Sequence, residues 1–383
     1  MKILYGYPYY KSSAYDDVEQ LTFNFLARIR SSGIDIEGFC LTIDPPGERL
    51  SFADLDRLWK RGDRKLLSFY ESLLQALQGK DVFINSVGMN LHPEFVETLP
   101  CVTVFQCFDD PESSHELSKP AAYAYDHCFV GNIAEVETYK SWGVKNVRWR
   151  PLGLGPEIYD ASLTEIQILE GTRDLDFFMM IDKNYPLRKK RLEFLENEFP
   201  TAHFYGAGWK RGFLSSNEQL SFLKRAKIGP NIHNSTGPIN YRTFYLPANG
   251  VLQICDNKSF LGEIFKLNYE VIGFDSIQEC ADLCRYYLSH DRERREIAAR
   301  GWKRAITEYN ELAIFQRDVE YLKSSCLKAR RSSPEVVLEI KNSRAKSNLC
   351  CQLEDSLFNL KKNVRNFRMK LLRKVERILD KSA

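Results

Sequence analysis

Short apolar runs alternate with amphipathic stretches along most of this chain, and the alternation is played through twice. A run that is apolar on both faces must be buried on both. The segments between the runs are long enough to cross over as helices, so the pattern predicts parallel strands in a helix-covered α/β sheet. In the first half the runs are 2–7, 34–41, 81–85, 102–107, 127–130 and 146–150. Between them, 16–32 carries apolar residues at 18, 21, 25, 26 and 29, one face of a helix that Gly33 ends. Further helices are predicted over 51–61, over 64–78 ahead of Gly79, and over 134–142. After a polar interval near 156–173 the pattern restarts. Strands are predicted at 175–181, 202–205, 228–231, 251–255 and 270–274, with helices over 187–199, 219–226 and 291–308. Ser276 and Glu279 form a capping box for one more helix. Two such open units predict two Rossmann-like domains, 1–155 and 156–309, facing each other across a cleft. Ligands then collect at the carboxyl ends of the strands. Residues 310–330 read as a helix crossing back over the first domain, and 331–383 as a tail.

With 383 residues the chain has room for two cores and an appendage. No apolar run approaches the ~20 residues of a membrane span. The opening M-K-I-L-Y-G-Y-P turns polar too soon for a signal peptide, and the ten cysteines show no C-x-x-C spacing, so reduced packing thiols in a cytoplasm are expected. The net charge of +3 is unevenly spread: 331–383 carries 13 cationic and 6 anionic side chains, leaving a mildly acidic body. In that tail Leu357, Leu360, Val364, Phe367, Leu371, Val375 and Ile378 follow helical steps among Lys and Arg. Such a basic amphipathic helix suits an anionic membrane surface or, its spacing being near a heptad, a coiled-coil partner. No nucleic-acid partner is expected.

The stretch 237–256, G-P-I-N-Y-R-T-F-Y-L-P-A-N-G-V-L-Q-I-C-D, reads as loop, short helix and buried strand. Asn240 can cap the helix, Pro247 disturbs it from within, and Gly250 suits the left-handed position after it. Arg242 adds a cation at the helix start, an arrangement suited to phosphate, although an αβ turn that binds nothing has the same look. No G-x-G-x-x-G follows the first strand, and Gly206-Ala-Gly208 lacks the third glycine, which disfavours NAD. Phosphate-loop, H-E-x-x-H and G-x-S-x-G patterns are missing as well. The pairs Asp54/Asp56 and Asp174/Asp176 read as solvated charges, so no metal is expected. Asp109 and Asp110 follow the strand 102–107, one placed for the cleft and the other for a turn, and two turn-forming aspartates fit equally. Other polar residues also gather at strand ends: Asn184 and Arg188; Gly206 and Trp209; Lys227, Asn231 and His233; Asn240, Arg242 and Thr243. Each alone is commonly a surface residue. Together they fit a phosphorylated ligand held by cations and helix N-termini.

The order of these motifs resembles the CgeB-type family of GT-B glycosyltransferases. The likeness is carried by Thr103–Ser113 (T-V-F-Q-C-F-D-D-P-E-S), Tyr125–Asn132, Tyr139–Gly153, Ala226–Ile232, Tyr241–Gly250 and Glu270–Ser276. The resemblance implies two facing Rossmann-like domains and a metal-independent transfer from a nucleotide-sugar, with no cofactor. The acceptor would be a glycan or a lipid-linked glycan. On this resemblance Arg242, Thr243, Asn240, Tyr245, Lys227, Arg188, Asn184, Gly206, Trp209, Asn231 and His233 line the donor site. Gly6, Tyr7 and Asn132 face the acceptor, and Asp110 or Asp109 is the base if the transfer inverts. The family pattern R-T-F-E has a ribose-binding Glu where this chain has Tyr245. Two other readings fit the same residues: a nucleotide-sugar epimerase on the same fold, and a non-catalytic scaffold. The enzyme is expected in the cytoplasm, peripheral to the membrane through its tail.

Overall fold

The apolar runs become parallel strands buried on both faces. The structure is a computed structural model and describes residues 1–9, 18–43, 49–234, 236–237, 240–325 and 332–347. The first domain is built from β1 (Lys2–Tyr7), α1 (Val18–Ser31), β2 (Asp35–Cys40), α2 (Phe52–Arg61), α3 (Arg64–Ala76), β3 (Val82–Asn85), α4 (Pro93–Val96), β4 (Val102–Cys107), α5 (Lys119–Ala121), β5 (His127–Val130), α6 (Val136–Ser141) and β6 (Val147–Trp149). Its six strands are ordered β2-β1-β3-β4-β5-β6. Caps set the helix ends by local chemistry. The Ser51 side chain accepts from Asp54 N, Gly62 takes φ 68° after α2, and Asp63 caps α3. One face of the sheet packs on α2 and α3 through Trp59, Tyr70, Leu73, Phe83 and Phe105; the other packs on α1 through Ile3, Leu26, Ile29 and Val104.

The second domain contains α7 (Glu165–Glu170), β7 (Leu175–Met180), α8 (Pro186–Glu198), β8 (His203–Tyr205), α9 (Ser216–Arg225), β9 (Ala226–Asn231), α10 (Arg242–Ala248), β10 (Leu252–Cys255), α11 (Lys258–Ile264), β11 (Ile272–Gly273), α12 (Ile277–Ser289) and α13 (Asp291–Glu308). Its five-stranded order is β11-β10-β9-β7-β8. Both sheets therefore change direction beside their first strand, between β1 and β3 and between β7 and β9, and such a switch point opens a crevice at the carboxyl ends.

Several expectations change in detail. The polar interval contains α7, opened by a Thr164/Gln167 capping box. Glu279 N donates to Ser276 Oγ, but the Glu279 carboxylate accepts from Asp275 N, one residue before the expected partner. The tail begins with α15 (Pro334–Ser347), which packs on α2 and α3. There Leu338 is buried, and Lys341 Nζ lies 3.2 Å from Glu94 Oε2 and 4.5 Å above the Trp59 ring. The amphipathic stretch 357–378 lies outside the described residues.

Two strands of chain join the domains. Leu154 N donates to Tyr309 O at 2.9 Å and Glu311 N to Leu154 O at 3.1 Å, so the crossings are stitched together. After the second crossing, α14 (Glu311–Lys323) returns to the first domain and places Phe315, Val319 and Leu322 in the cluster with Ile3 and Leu26. Arg150, buried just after β6, donates Nε to Asp318 Oδ2 at 2.6 Å. Arg28 of α1 pairs with Glu157 and Glu311 from the two crossings. Asp318→Ala would strand the Arg150 charge in a dry site. It is expected to cost about 3–5 kcal/mol, read as a lower urea midpoint for the first domain, whereas an unchanged midpoint would remove the pair from the hinge.

Candidate active site

The crevice between the ends of β7 and β9 collects three arginines. Arg188, in the first turn of α8, is buried; its Nε donates to Asp182 O at 2.9 Å and its guanidinium lies 4.8 Å from the Tyr185 ring. Burial, followed by the charge of Arg242, lowers its pKa to about 10. Arg242 opens α10 and donates Nε to Asn231 Oδ1 at 3.0 Å. Asn240 makes the predicted cap, accepting from Thr243 N at 3.2 Å. Arg191, one turn beyond Arg188, donates to Asp256 Oδ2 at 3.2 Å and to His233 O at 3.1 Å.

Beneath these cations lies a buried polar network. Asn231 ends β9 and is 0 % exposed. His233 N donates to Asp256 Oδ2 at 3.0 Å and His233 Nδ1 lies 2.6 Å from Asp256 Oδ1. Burial raises the Asp256 pKa, but the hydrogen bonds from His233 and the Arg191 charge outweigh it and hold the carboxyl below its usual value. Burial lowers the His233 pKa despite Asp256, with Arg242 and Arg188 acting in the same direction as burial. Beyond β10 and β11 a cavity of about 670 Å³ is lined by Arg191, Asp256, Lys258, Phe274 and Ile277. His233, Cys255 and Asp256 bring potential metal ligands within 4.8 Å of one another. Both Asp256 oxygens are already engaged by His233 and Arg191, and the surrounding guanidinium charge opposes a divalent cation. Among the described residues, arginines dominate the charge of the site.

Not every expected donor residue lies here. Lys227 is near the amino end of β9 and pairs with Asp176 at 2.6 Å. Four residues of extended chain put it ~13 Å from Asn231, at the wrong end of a parallel strand. Gly206 takes φ 118°, and a Cβ there would sit 2.4 Å from the Ile181 carbonyl oxygen, so the glycine admits a neighbouring backbone. Trp209 is buried, donates Nε1 to Ile181 O at 2.8 Å and stacks on Phe204, so it offers no platform to a ligand. Asn184 stands exposed in the turn before α8, its N–H donated to Asp182 Oδ1. Tyr245 is 6 % exposed, sealed in the cluster that contains Leu152, Leu154 and Phe178. Burial pushes its pKa up to about 12, and Gln219 lies beside the hydroxyl. It is a core residue. Asn231, His233 and Thr243 are likewise buried, bonded to one another beneath the arginines.

In the first domain, Asp110 Oδ2 accepts from the Tyr139 hydroxyl at 2.5 Å, and its buried Oδ1 has no hydrogen-bond partner among the described residues. Asp109 is outside, its side chain 65 % exposed and paired with Arg49 at 3.0 Å. Asn132 is a clamp between domains: its Nδ2 donates to Asp110 O at 3.3 Å and to Thr236 O at 2.7 Å. Gly237 allows this approach, since a Cβ there would lie 1.9 Å from Asn132 Oδ1. Gly6 sits inside β1 against Leu41, and Tyr7 packs edge-on against Phe23 of α1. Gly6 has no side chain to offer, and Tyr7 is buried. Sequence reasoning missed Arg191 and Asp256. Both signals were available: Arg191 follows Arg188 at helical spacing, and Asp256 directly follows an apolar strand.

Residues 188–313 match the family model described as glycosyl transferase-like. No curated protein matches the chain at a significant level. Among solved structures, HepE of Anabaena in complex with UDP is similar at 13% identity and a TM-score of 0.53, covering 85% of this chain and 100% of that one. The sucrose-phosphate synthase of Thermosynechococcus elongatus is similar at 11% identity and a TM-score of 0.56, covering 84% and 99%. The lipopolysaccharide outer core galactosyltransferase WaaB, in its apo form, is similar at 12% identity and a TM-score of 0.57, covering 85% and 99%. The architecture is the GT-B fold, and the arginine-lined crevice falls within the glycosyltransferase-like region.

His233 gives the site a pH signature. Its folded pKa is below the ~6.5 of an unfolded histidine, so its stabilising contribution is complete above that value and is lost as pH falls from there toward the folded pKa. His92 and His203, also lowered by burial, act with the same sign. The urea midpoint of the wild type is therefore expected to fall between pH 7.5 and 5.5, and to fall less in His233→Gln. Equal slopes would remove His233 from the acid-sensitive set.

Proposed function

We propose that this chain is a CgeB-type GT-B glycosyltransferase that moves a sugar from a nucleotide-sugar to a hydroxyl of a glycan or lipid-linked glycan. The observation that carries the reading is the convergence of Arg188 and Arg242 at the β7/β9 crevice, close enough for Arg242 to help depress the Arg188 pKa. Two guanidinium groups held together against their mutual repulsion are suited to a polyanion such as a diphosphate. When the sugar–oxygen bond breaks, negative charge grows on the diphosphate. Fixed cations then stabilise the transition state more than the bound donor. Neutralisation by arginine supplies the role a metal would otherwise serve.

On the acceptor side the geometry favours Asp110 over Asp109. Asp109 is committed to Arg49 at the surface, whereas Asp110 has one oxygen oriented by Tyr139 and the other without a hydrogen-bond partner among the described residues, beside the Asn132 clamp. In an inverting transfer Asp110 is the base.

Among the described residues no helix is long and apolar enough to cross a membrane. The basic tail is the element proposed to bring the enzyme to an anionic surface, and vesicle binding through 335–383 should weaken as salt rises. For the donor site, Arg242→Ala is expected to abolish transfer from a nucleotide-sugar and to lower UDP affinity at least tenfold in calorimetry, with an unchanged circular dichroism spectrum. A folded variant that still binds UDP and turns over would overturn the assignment. Isomerised sugar formed from donor alone would indicate an epimerase instead.

A further inference from the structure

We propose that Asn231 is a positioning residue whose amide aims the Arg242 guanidinium into the β7/β9 crevice, and that Asp256, His233 and Thr243 fix the way that amide faces. The inference rests on the reading of Arg242 as a diphosphate ligand and changes the role of three residues that the sequence suggested as direct contacts.

The argument starts from hydrogen-bond capacity. A side-chain amide has two N–H donors and two acceptor positions on its oxygen. Asn231 is fully buried and uses all four. Its Nδ2 donates to Thr243 Oγ1 at 3.2 Å and to Gln253 Oε1 at 3.0 Å. Its Oδ1 accepts from Asn240 Nδ2 at 3.0 Å and from Arg242 Nε at 3.0 Å. Turning the amide over would set its NH₂ against the Arg242 N–H and the Asn240 NH₂, donor facing donor in a dry site. Gln253 resists such a turn, because its own Nε2 donates to Thr243 O at 3.2 Å and its oxygen is thereby left for Asn231.

The polarity is set from the far end. Asp256 is held ionised and only accepts, so His233 Nδ1 carries the hydrogen between them at 2.6 Å. Neutral His233 then has an acceptor at Nε2, which lies 3.3 Å from Thr243 Oγ1. The Thr243 hydroxyl gives its hydrogen to His233 and keeps a lone pair for Asn231. Every bond from carboxylate to guanidinium therefore runs in one sense. The network commits Arg242 Nε and so fixes the side chain that opens α10 beside the crevice, where a guanidinium can grip two phosphate oxygens at once.

A positioning role has a signature that a merely structural one lacks: its effect vanishes when the positioned group is removed. UDP binding to the full chain is measured for wild type, Asn231→Ala, Arg242→Ala and the double variant. Thr243→Val, close to threonine in shape, is measured alone and with Arg242→Ala, so that the relay is also broken without opening a cavity. Asn231→Ala and Thr243→Val are each expected to lose at least tenfold in affinity, and neither should lose more once Arg242 is gone. Losses that multiply with that of Arg242→Ala, or wild-type affinity in both relay variants, would overturn the positioning role and leave the diphosphate reading standing. Wild-type affinity in Arg242→Ala would overturn both.

Discussion

Parallel strands cannot be closed by hairpins, and the whole molecule follows from that constraint. Every connection must cross over a face of the sheet, so every strand ends at the same edge. In each domain the first strand lies between the second and the third, which splits the covering helices at that point. The crevice between β7 and β9 is the outcome. Arg188 reaches it from the loop and helix after β7, and Arg242 from the helix after β9. No local property of either arginine brings them together.

The second dependence is the hinge. Two crossings stitched at Leu154 and Asn310 would leave the domains free to swing, but α14 returns to the first domain and is tied there by the Arg150–Asp318 pair. Near the cleft the domains also touch through Asn132, which binds the backbone of Asp110 on one side and of Thr236 on the other. One contact thus links the proposed base to the loop that leads into α10. That loop carries Gly237, whose missing side chain is what allows the approach.

Much of this was legible beforehand. Strands such as V-F-I-N and V-T-V-F-Q-C had to be buried on both faces, and the Asn240 cap and the left-handed Gly250 were readable from residue type. The residues that the structure places elsewhere have one thing in common. Lys227, Gly206, Trp209 and Tyr245 were judged by residue type near a strand end, whereas the structure assigns each by what stands opposite. Lys227 meets Asp176, Gly206 the Ile181 carbonyl, Trp209 the same carbonyl and Phe204, and Tyr245 an apolar cluster. For Lys227 even strand polarity would have been enough to correct the assignment.

Asn231 and His233 show the division most clearly. Their place after a buried strand could be read from the chain alone, because hydrophobic periodicity and capping depend on residues a few positions apart. Whether a polar side chain there meets a ligand or braces another residue depends on partners such as Asp256, Gln253 and Arg191, which lie 23, 22 and 42 positions away. The sequence by itself determined two parallel α/β domains and the edge at which a site must lie. Only the tertiary structure decided which polar groups face the crevice and which are consumed beneath it, because burial and hydrogen-bond partnership are set by long-range packing.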